Sequence, residues 1–127
     1  MIGLYVSEHA VITLPWPARA LHPNARVHHM VKAKWAGKAR RDAHWTATAA
    51  GLRPSGADSV AVAITFFPPD NRRRDLDGML GALKSSLDGI ADALGVDDSR
   101  WEISMRKGQA KPPHGGVEVV VETRGGR

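Results

Sequence analysis

Cysteine is absent from this chain of 127 residues, which excludes disulfides and thiolate metal sites and leaves the redox compartment unspecified. Long apolar runs are missing as well. A helix that spans a bilayer needs about 20 consecutive apolar residues, and no stretch approaches that length, so no membrane segment is expected. The apolar start Met1-Ile2-Gly3-Leu4-Tyr5-Val6 lacks a basic leader and is cut off by Glu8 and His9, so it does not read as a signal peptide. A cytoplasmic protein is expected. Internal repeats are lacking, and no HExxH-like spacing occurs. His28, His29 and His44 therefore read as surface or loop residues rather than zinc ligands.

What is present is the composition of a soluble globular protein, 43% apolar and 24% charged, at the length of one domain. The net charge of +5 is modest, but its distribution is uneven. Residues 19 to 53 carry eight Lys/Arg (Arg19, Arg26, Lys32, Lys34, Lys38, Arg40, Arg41, Arg53) against one acid, Asp42. The remainder is slightly acidic. Such an asymmetry fits a basic surface facing a polyanion, with an acidic cluster elsewhere.

Along the chain, Ala10 to Leu14 is a β-rich run ended by Pro15-Trp16-Pro17, because proline cannot donate to a sheet ladder. Pro17 to His29 reads as a loop, with Asn24 as a turn residue. Val31 to Ala50 places Val31, Trp35, Ala39, Ala43 and Ala47 at steps of four before Gly51, predicting a helix with a basic outer face. Trp35 and Trp45 are expected to pack in the core or an interface rather than stack on bases. A turn-rich connection, Leu52 to Asp58, leads to a strand over Ser59 to Phe67. There Val60, Val62, Ile64 and Phe66 share one face and the small Ala61 and Ala63 the other, as in an interior strand covered on both faces.

Gly78 to Leu94 has Leu80, Leu83, Leu87, Ile90 or Ala91, and Leu94 at helical spacing, and Gly95 supplies a stop. Asp77 stands where an N-cap belongs. Lys84, close to two turns later, shares its face, and Asp88 follows one turn further. Beyond the turn Gly95 to Arg100, with its adjacent Asp97 and Asp98, the segments Trp101 to Arg106 and Val117 to Thr123 alternate as strands. The basic ten-residue loop between them suggests a wide hairpin and a mobile DNA contact. The Gly-rich tail 125–127 is expected to fray. The reading is an α/β (α+β) fold, one domain with a mixed sheet of about four strands and two main helices.

The stretch Arg72-Arg73-Arg74-Asp75-Leu76-Asp77 concentrates the chemistry. On an extended backbone Asp75 and Asp77 project to one side and Leu76 to the other, and two carboxylates can share a hard cation. Magnesium is usually held by one or two carboxylates and keeps waters that substrate phosphate oxygens replace; the arginines would bring that phosphate. The plain alternatives are a solvated turn whose charges cancel and, for Lys84 with Asp88, an exposed ion pair.

A first strand ending Leu14-Pro15-Trp16-Pro17, an asparagine in the next loop, the segment 72–77, a helix bearing Lys84, and Asp97-Asp98 before a strand together resemble the RusA family of Holliday junction resolvases. The resemblance runs from about Ile12 to Val121 and is most specific over Arg73 to Asp98. It implies a structure-selective endodeoxyribonuclease that resolves four-way junctions by paired nicks during recombination and repair. It further implies a homodimer and a Mg²⁺ cofactor, with Mn²⁺ as a substitute, on Asp75, Asp77 and Asp98. Lys84 would support cleavage. Gly78 and Gly81 stand where the family motif has asparagine and lysine, so Lys84, on the same helix face, serves as the substitute. Phosphate contacts fall to Arg72, Arg73, Arg74, Lys107, Lys111 and, on the basic helix, Lys34, Lys38 and Arg41. Two other classes stay open: a catalytically silent branched-DNA-binding protein of the same fold, and a Mg²⁺-dependent phosphohydrolase acting on small phosphate esters.

Overall fold

The computed structural model describes residues 7–54 and 56–125, so the apolar N-terminal hexapeptide and the end of the Gly-rich tail lie outside the described residues. The elements are β1 (Ser7–Leu14), α1 (His29–Ala49), β2 (Ser59–Phe67), α2 (Leu76–Leu94), β3 (Trp101–Lys107) and β4 (Gly116–Arg124), with 3₁₀ turns at Arg19–Leu21 and Asp98–Arg100. They form a four-stranded sheet in the order β1-β4-β2-β3. β4 runs antiparallel to both β1 and β2, and β2 and β3 are parallel. This is the expected α+β class with a mixed sheet.

The strand order corrects one expectation, because β3 and β4 do not pair as a hairpin. β2 lies between them and bonds both. Parallel strands need a crossover, which α2 supplies between β2 and β3. The loop after β3 then passes over the end of β2 and is tied there, Gly108 N–H to Phe66 O at 2.8 Å and Lys111 N–H to Pro68 O at 2.7 Å.

One face of the sheet carries the core. Ile12, Val62, Ile64, Phe66, Val117, Val119 and Val121 are fully buried against Leu83, Leu87, Ile90 and Leu94 of α2. Each such side chain contributes about 1.5–3 kcal/mol relative to exposure. The interior position expected for β2 is observed, but the cover expected on both its faces is not. Ala63 is exposed and Val11 is 48% exposed, because both helices lie on the other face. A shallow depression of about 380 Å³ on this open face is lined by His9, Ala61, Ala63, Ser104, Val120 and Glu122, among others.

Helix α1 also departs from expectation. Of the stripe Val31, Trp35, Ala39, Ala43 and Ala47, only Ala43 and Ala47 are buried. Trp35 and Trp45 are 40% and 67% exposed rather than packed in the core. The cause is a close crossing with α2: a Cβ added at Gly89 would lie 2.1 Å from Arg40 O and 3.0 Å from His44 N. Backbones this near require alanine and glycine at the contact, so α1 docks by its small residues Ala43 and Ala47, and its tryptophans, off that contact, lie towards solvent. Arg40 braces the crossing with two hydrogen bonds to Asp92, 2.7 and 2.9 Å. No described helix is long and apolar enough to cross a membrane.

Candidate metal and nucleic-acid site

The candidate site begins where β2 ends. Pro68 and Pro69 stop the strand, and Asp70 organises the loop into α2. Its carboxylate accepts a hydrogen bond from Arg72 N–H (3.0 Å) and pairs with Arg72 Nε (3.3 Å) and Arg74 Nη1 (2.9 Å). The hydrogen bond from Arg74, then that from the Arg72 amide, holds the Asp70 carboxyl below its ordinary value. Arg74 Nη1 also donates to the carbonyls of Asp70 and Arg72 at 3.2 and 3.3 Å, and its guanidinium stands 5.4 Å from the Trp16 ring centroid. Trp16 in turn meets Phe66 edge-on at 6.2 Å. Arg74, expected to contact phosphate, is thus committed to bracing the loop that carries Asp75; Arg72 and Arg73 are the exposed cations of the segment.

The Asp-Leu-Asp triplet is not extended as expected, since α2 already starts at Leu76. Asp75, rather than Asp77, is the N-cap, and its Oδ1 accepts from Gly78 N–H at 2.7 Å. Asp77 lies in the first turn and is exposed. Both carboxylates therefore sit at the positive end of the helix dipole, where negative charge is stabilised.

The two glycines have a local cause. A Cβ at Gly78 would lie 2.5 Å from Asp75 Oδ1 and 3.1 Å from His22 Nε2, and one at Gly81 would lie 2.6 Å from Pro23 Cγ. The turn His22-Pro23-Asn24 is laid directly on the first turns of α2, closed by Ala25 N–H bonding His22 O at 2.9 Å. A lysine at position 81 would have to displace Pro23.

Lys84, on the same helix, donates to Asp98 and, at 3.2 Å, to Asp88. The hydrogen bond to Asp98 is the main cause that raises the Lys84 ammonium above its ordinary value, against the opposing effect of burial. The exposed Lys84–Asp88 pair foreseen as an alternative exists, but Asp98 joins it. Asp97 does not compete for this role: it caps the following 3₁₀ turn, accepting from the Ser99 amide at 3.1 Å and from the Ser99 hydroxyl. Those bonds hold the Asp97 carboxyl below its ordinary value.

Asp75 and Asp77 thus stand two residues apart at the start of α2, Asp98 is joined to Lys84, and among the described residues no three His, Cys, Asp or Glu side chains lie close enough to hold one metal ion. The donor chemistry fits magnesium, all carboxylate oxygen, since that ion is usually held by one or two carboxylates completed by water and phosphate.

The expected phosphate contacts lie apart from one another. Lys34, Lys38 and Arg41 are exposed on α1, with Lys38 paired to Asp42. Lys107 is exposed at the end of β3, whereas Lys111 Nζ lies 3.8 Å from the Phe67 ring centroid. The loop expected to be a mobile contact is therefore anchored at Gly108 and Lys111. Sequence reasoning missed a cleft of about 1090 Å³ between residues 16–27 and 72–82, whose lining includes Arg19, His22, Arg26 and Arg72. Its signal is the Pro-, Asn- and Arg-rich composition of residues 17–29, which by itself reads only as a loop.

No protein-family model matches the chain. An uncharacterized protein of Xylella fastidiosa (strain Temecula1 / ATCC 700964) is 38% identical over 121 residues, covering 93% of this chain and 78% of that protein. Among solved structures, the GDP-bound CetZ1 monomer of Haloferax volcanii aligns over 91% of this chain and 28% of its own, at 12% identity and a TM-score of 0.35. That likeness is too slight to transfer a fold or a function.

Proposed function

We propose that this chain, which belongs to one family with the uncharacterized Xylella fastidiosa protein, is a Mg²⁺-dependent, structure-selective endodeoxyribonuclease acting on branched DNA such as four-way junctions. The observation that carries this reading is the Asp75–Asp77 pair at the N-terminus of α2, bordered by exposed Arg72 and Arg73 and by an arginine-lined cleft. The resemblance to RusA resolvases points the same way.

Phosphodiester hydrolysis requires a polarised phosphoryl group, a nucleophile available at neutral pH and a stabilised leaving oxygen. Magnesium on Asp75, Asp77 and Asp98, or Mn²⁺ in its place, supplies the first two when bound. The protein's own groups do the rest. Arg72 and Arg73 draw the backbone to the carboxylates, the dipole of α2 stabilises the negative charge of both acids, and Asp70 with Arg74 holds the connecting loop rigid. Lys84 would supply positive charge for the phosphorane or the leaving oxygen. A two-fold symmetric junction calls for two such sites and hence a homodimer. The uncovered sheet face around Val11 and Ala63 is available for the second copy. Chromosomal or phage DNA as substrate makes the cytoplasm its compartment.

A specific observation favours a second reading, a silent branched-DNA binder: Lys84 holds Asp98, and Pro23 occupies the space of a lysine at position 81. The basic surface of α1 argues against small phosphate esters as substrates. The deciding experiment incubates the protein with a synthetic four-way junction in Mg²⁺, Ca²⁺ or EDTA. Nicking in Mg²⁺ with binding alone in Ca²⁺ is the expected result; binding without nicking in either Mg²⁺ or Mn²⁺ establishes the silent binder instead.

A further inference from the structure

The cleft beside the acidic pair is larger than phosphate contacts alone require, and its lining has two characters. Arg19 and Arg26 are exposed cations that make no ion pair among the described residues. Arg72 is held only by a pair with Asp70 in which its own side chain is 82% exposed, and no acidic residue lines the cleft. The opposite character is apolar. Trp16, Val27, Met79 and Ala82 line the same space, with Met79 and Ala82 buried in the floor.

A duplex presents phosphates to a protein surface and keeps its base faces stacked inside, so it would use the arginines and leave the apolar wall wet. An unstacked strand presents phosphate and base face together, and sites for such strands pair a cationic groove with apolar or aromatic platforms. Size agrees: small-ligand clefts run to about 1,000 Å³, and about 1090 Å³ has room for a short unpaired stretch. The cleft also opens onto the chemistry. His22 is one of its lining residues, and His22 and Asp75 flank the same backbone position, Gly78. Beyond Val27, α1 carries exposed Val31 and Trp35 and exposed Lys34 and Lys38.

We propose that this cleft receives an unpaired stretch of a DNA strand, with bases against Trp16 and Val27 and phosphates on Arg19 and Arg26, delivering the adjoining phosphodiester to Asp75 and Asp77. The inference rests on the endonuclease reading for the identity of the strand. It adds that the protein selects branched DNA by holding bases that it unpairs at the exchange point, where the continuous stack of the duplex is interrupted.

The test places 5-iodouracil at the exchange point of a synthetic four-way junction and, in a second substrate, in the middle of one arm. Complexes are formed in Ca²⁺, verified by gel shift and irradiated, and the cross-linked peptides are identified by mass spectrometry. Exchange-point cross-links should fall within residues 16–27, and mid-arm cross-links should not. Changing Arg19→Ala and Arg26→Ala together should cut the exchange-point yield by about tenfold. Both side chains are exposed and make no ion pair among the described residues, so the fold should survive, as circular dichroism will verify. Exchange-point cross-links confined to α1 or to residues 108–115, or a yield unchanged in the double variant, overturn the proposal. Nicking of the same junction in Mg²⁺ is scored separately. Cleft cross-links without nicking overturn only the endonuclease reading, nicking without cleft cross-links overturns only the strand cleft, and failure to form a complex overturns both.

Discussion

Replacing Gly89 by alanine tests whether the crossing of α1 and α2 sets the architecture on which the site stands. In the middle of an exposed helix this change is favourable by about 1 kcal/mol, because glycine loses more backbone freedom on folding. Here the new methyl would lie 2.1 Å from the Arg40 carbonyl oxygen, where ordinary contact begins at 3.4 Å. The obstacle is backbone, which cannot rotate away, so the helices must part by about 1 Å in a core packed to crystal-like density. Overpacking costs typically about 1–3 kcal/mol, more where relief requires backbone movement. The Arg40–Asp92 bonds spanning the crossing would stretch, but with side chains 53% and 41% exposed they add little. The net expectation is destabilisation by about 2 kcal/mol. Gly37, also in α1, is the internal control: a new methyl there would meet only the flexible Arg41 Nη1, at 3.4 Å, so Gly37→Ala should stabilise by up to about 1 kcal/mol. Urea unfolding with slopes checked for constancy measures both. A Gly89→Ala protein as stable as the parent, or a Gly37→Ala protein destabilised to the same degree, refutes the reasoning.

The site itself makes further outcomes testable. Asp75→Asn and Asp98→Asn should each abolish junction nicking in Mg²⁺ while gel-shift affinity in Ca²⁺ stays within about threefold, since phosphate contacts carry the binding; cleavage surviving both changes contradicts the metal-site assignment. Lys84→Ala should slow nicking by about tenfold or more with little loss of affinity, and an unchanged rate would leave Lys84 as a plain ion-pair partner of Asp88 and Asp98. Gly81→Lys should weaken the packing of the 22–25 turn on α2, lowering stability by about 1–3 kcal/mol and giving no faster nicking; a stable, faster enzyme would show that the Pro23 contact yields freely. Because Arg74 and the Arg72 amide hold the Asp70 carboxyl below its ordinary value, the loop brace is complete above about pH 4 and weakens as pH falls through the lowered value. An NMR titration of Asp70 should therefore find a midpoint below about 3.9, and one at or above that value would remove the brace.

Local elements are legible because their physics is local. The spacing of Leu83, Leu87, Ile90 and Leu94 specifies α2 and its buried face, and Gly95, at φ +74°, ends it as expected. Alternation in β3 and β4 and the apolar face of β2 are equally plain, as are the carboxylates and cations that make the site worth testing. The start of α2 is harder to place because Asp75 and Asp77 are both capable caps; the loop that sets Asp75 in extended backbone, braced by Asp70 and Arg74, decides between them.

By itself, then, the sequence determined the periodic elements, the mixed α+β class and the pool of charged groups, all of which arise from neighbours a few residues apart. Only the tertiary structure decided the insertion of β2 between β3 and β4, the exposure of Trp35 and the pairing of Asp98 with Lys84. It alone laid the 22–25 turn on Gly78 and Gly81 and so shaped the arginine-lined cleft. Those outcomes depend on which distant surfaces fit at close range, such as the backbone of α1 against Gly89. Periodicity within a segment carries no record of that fit.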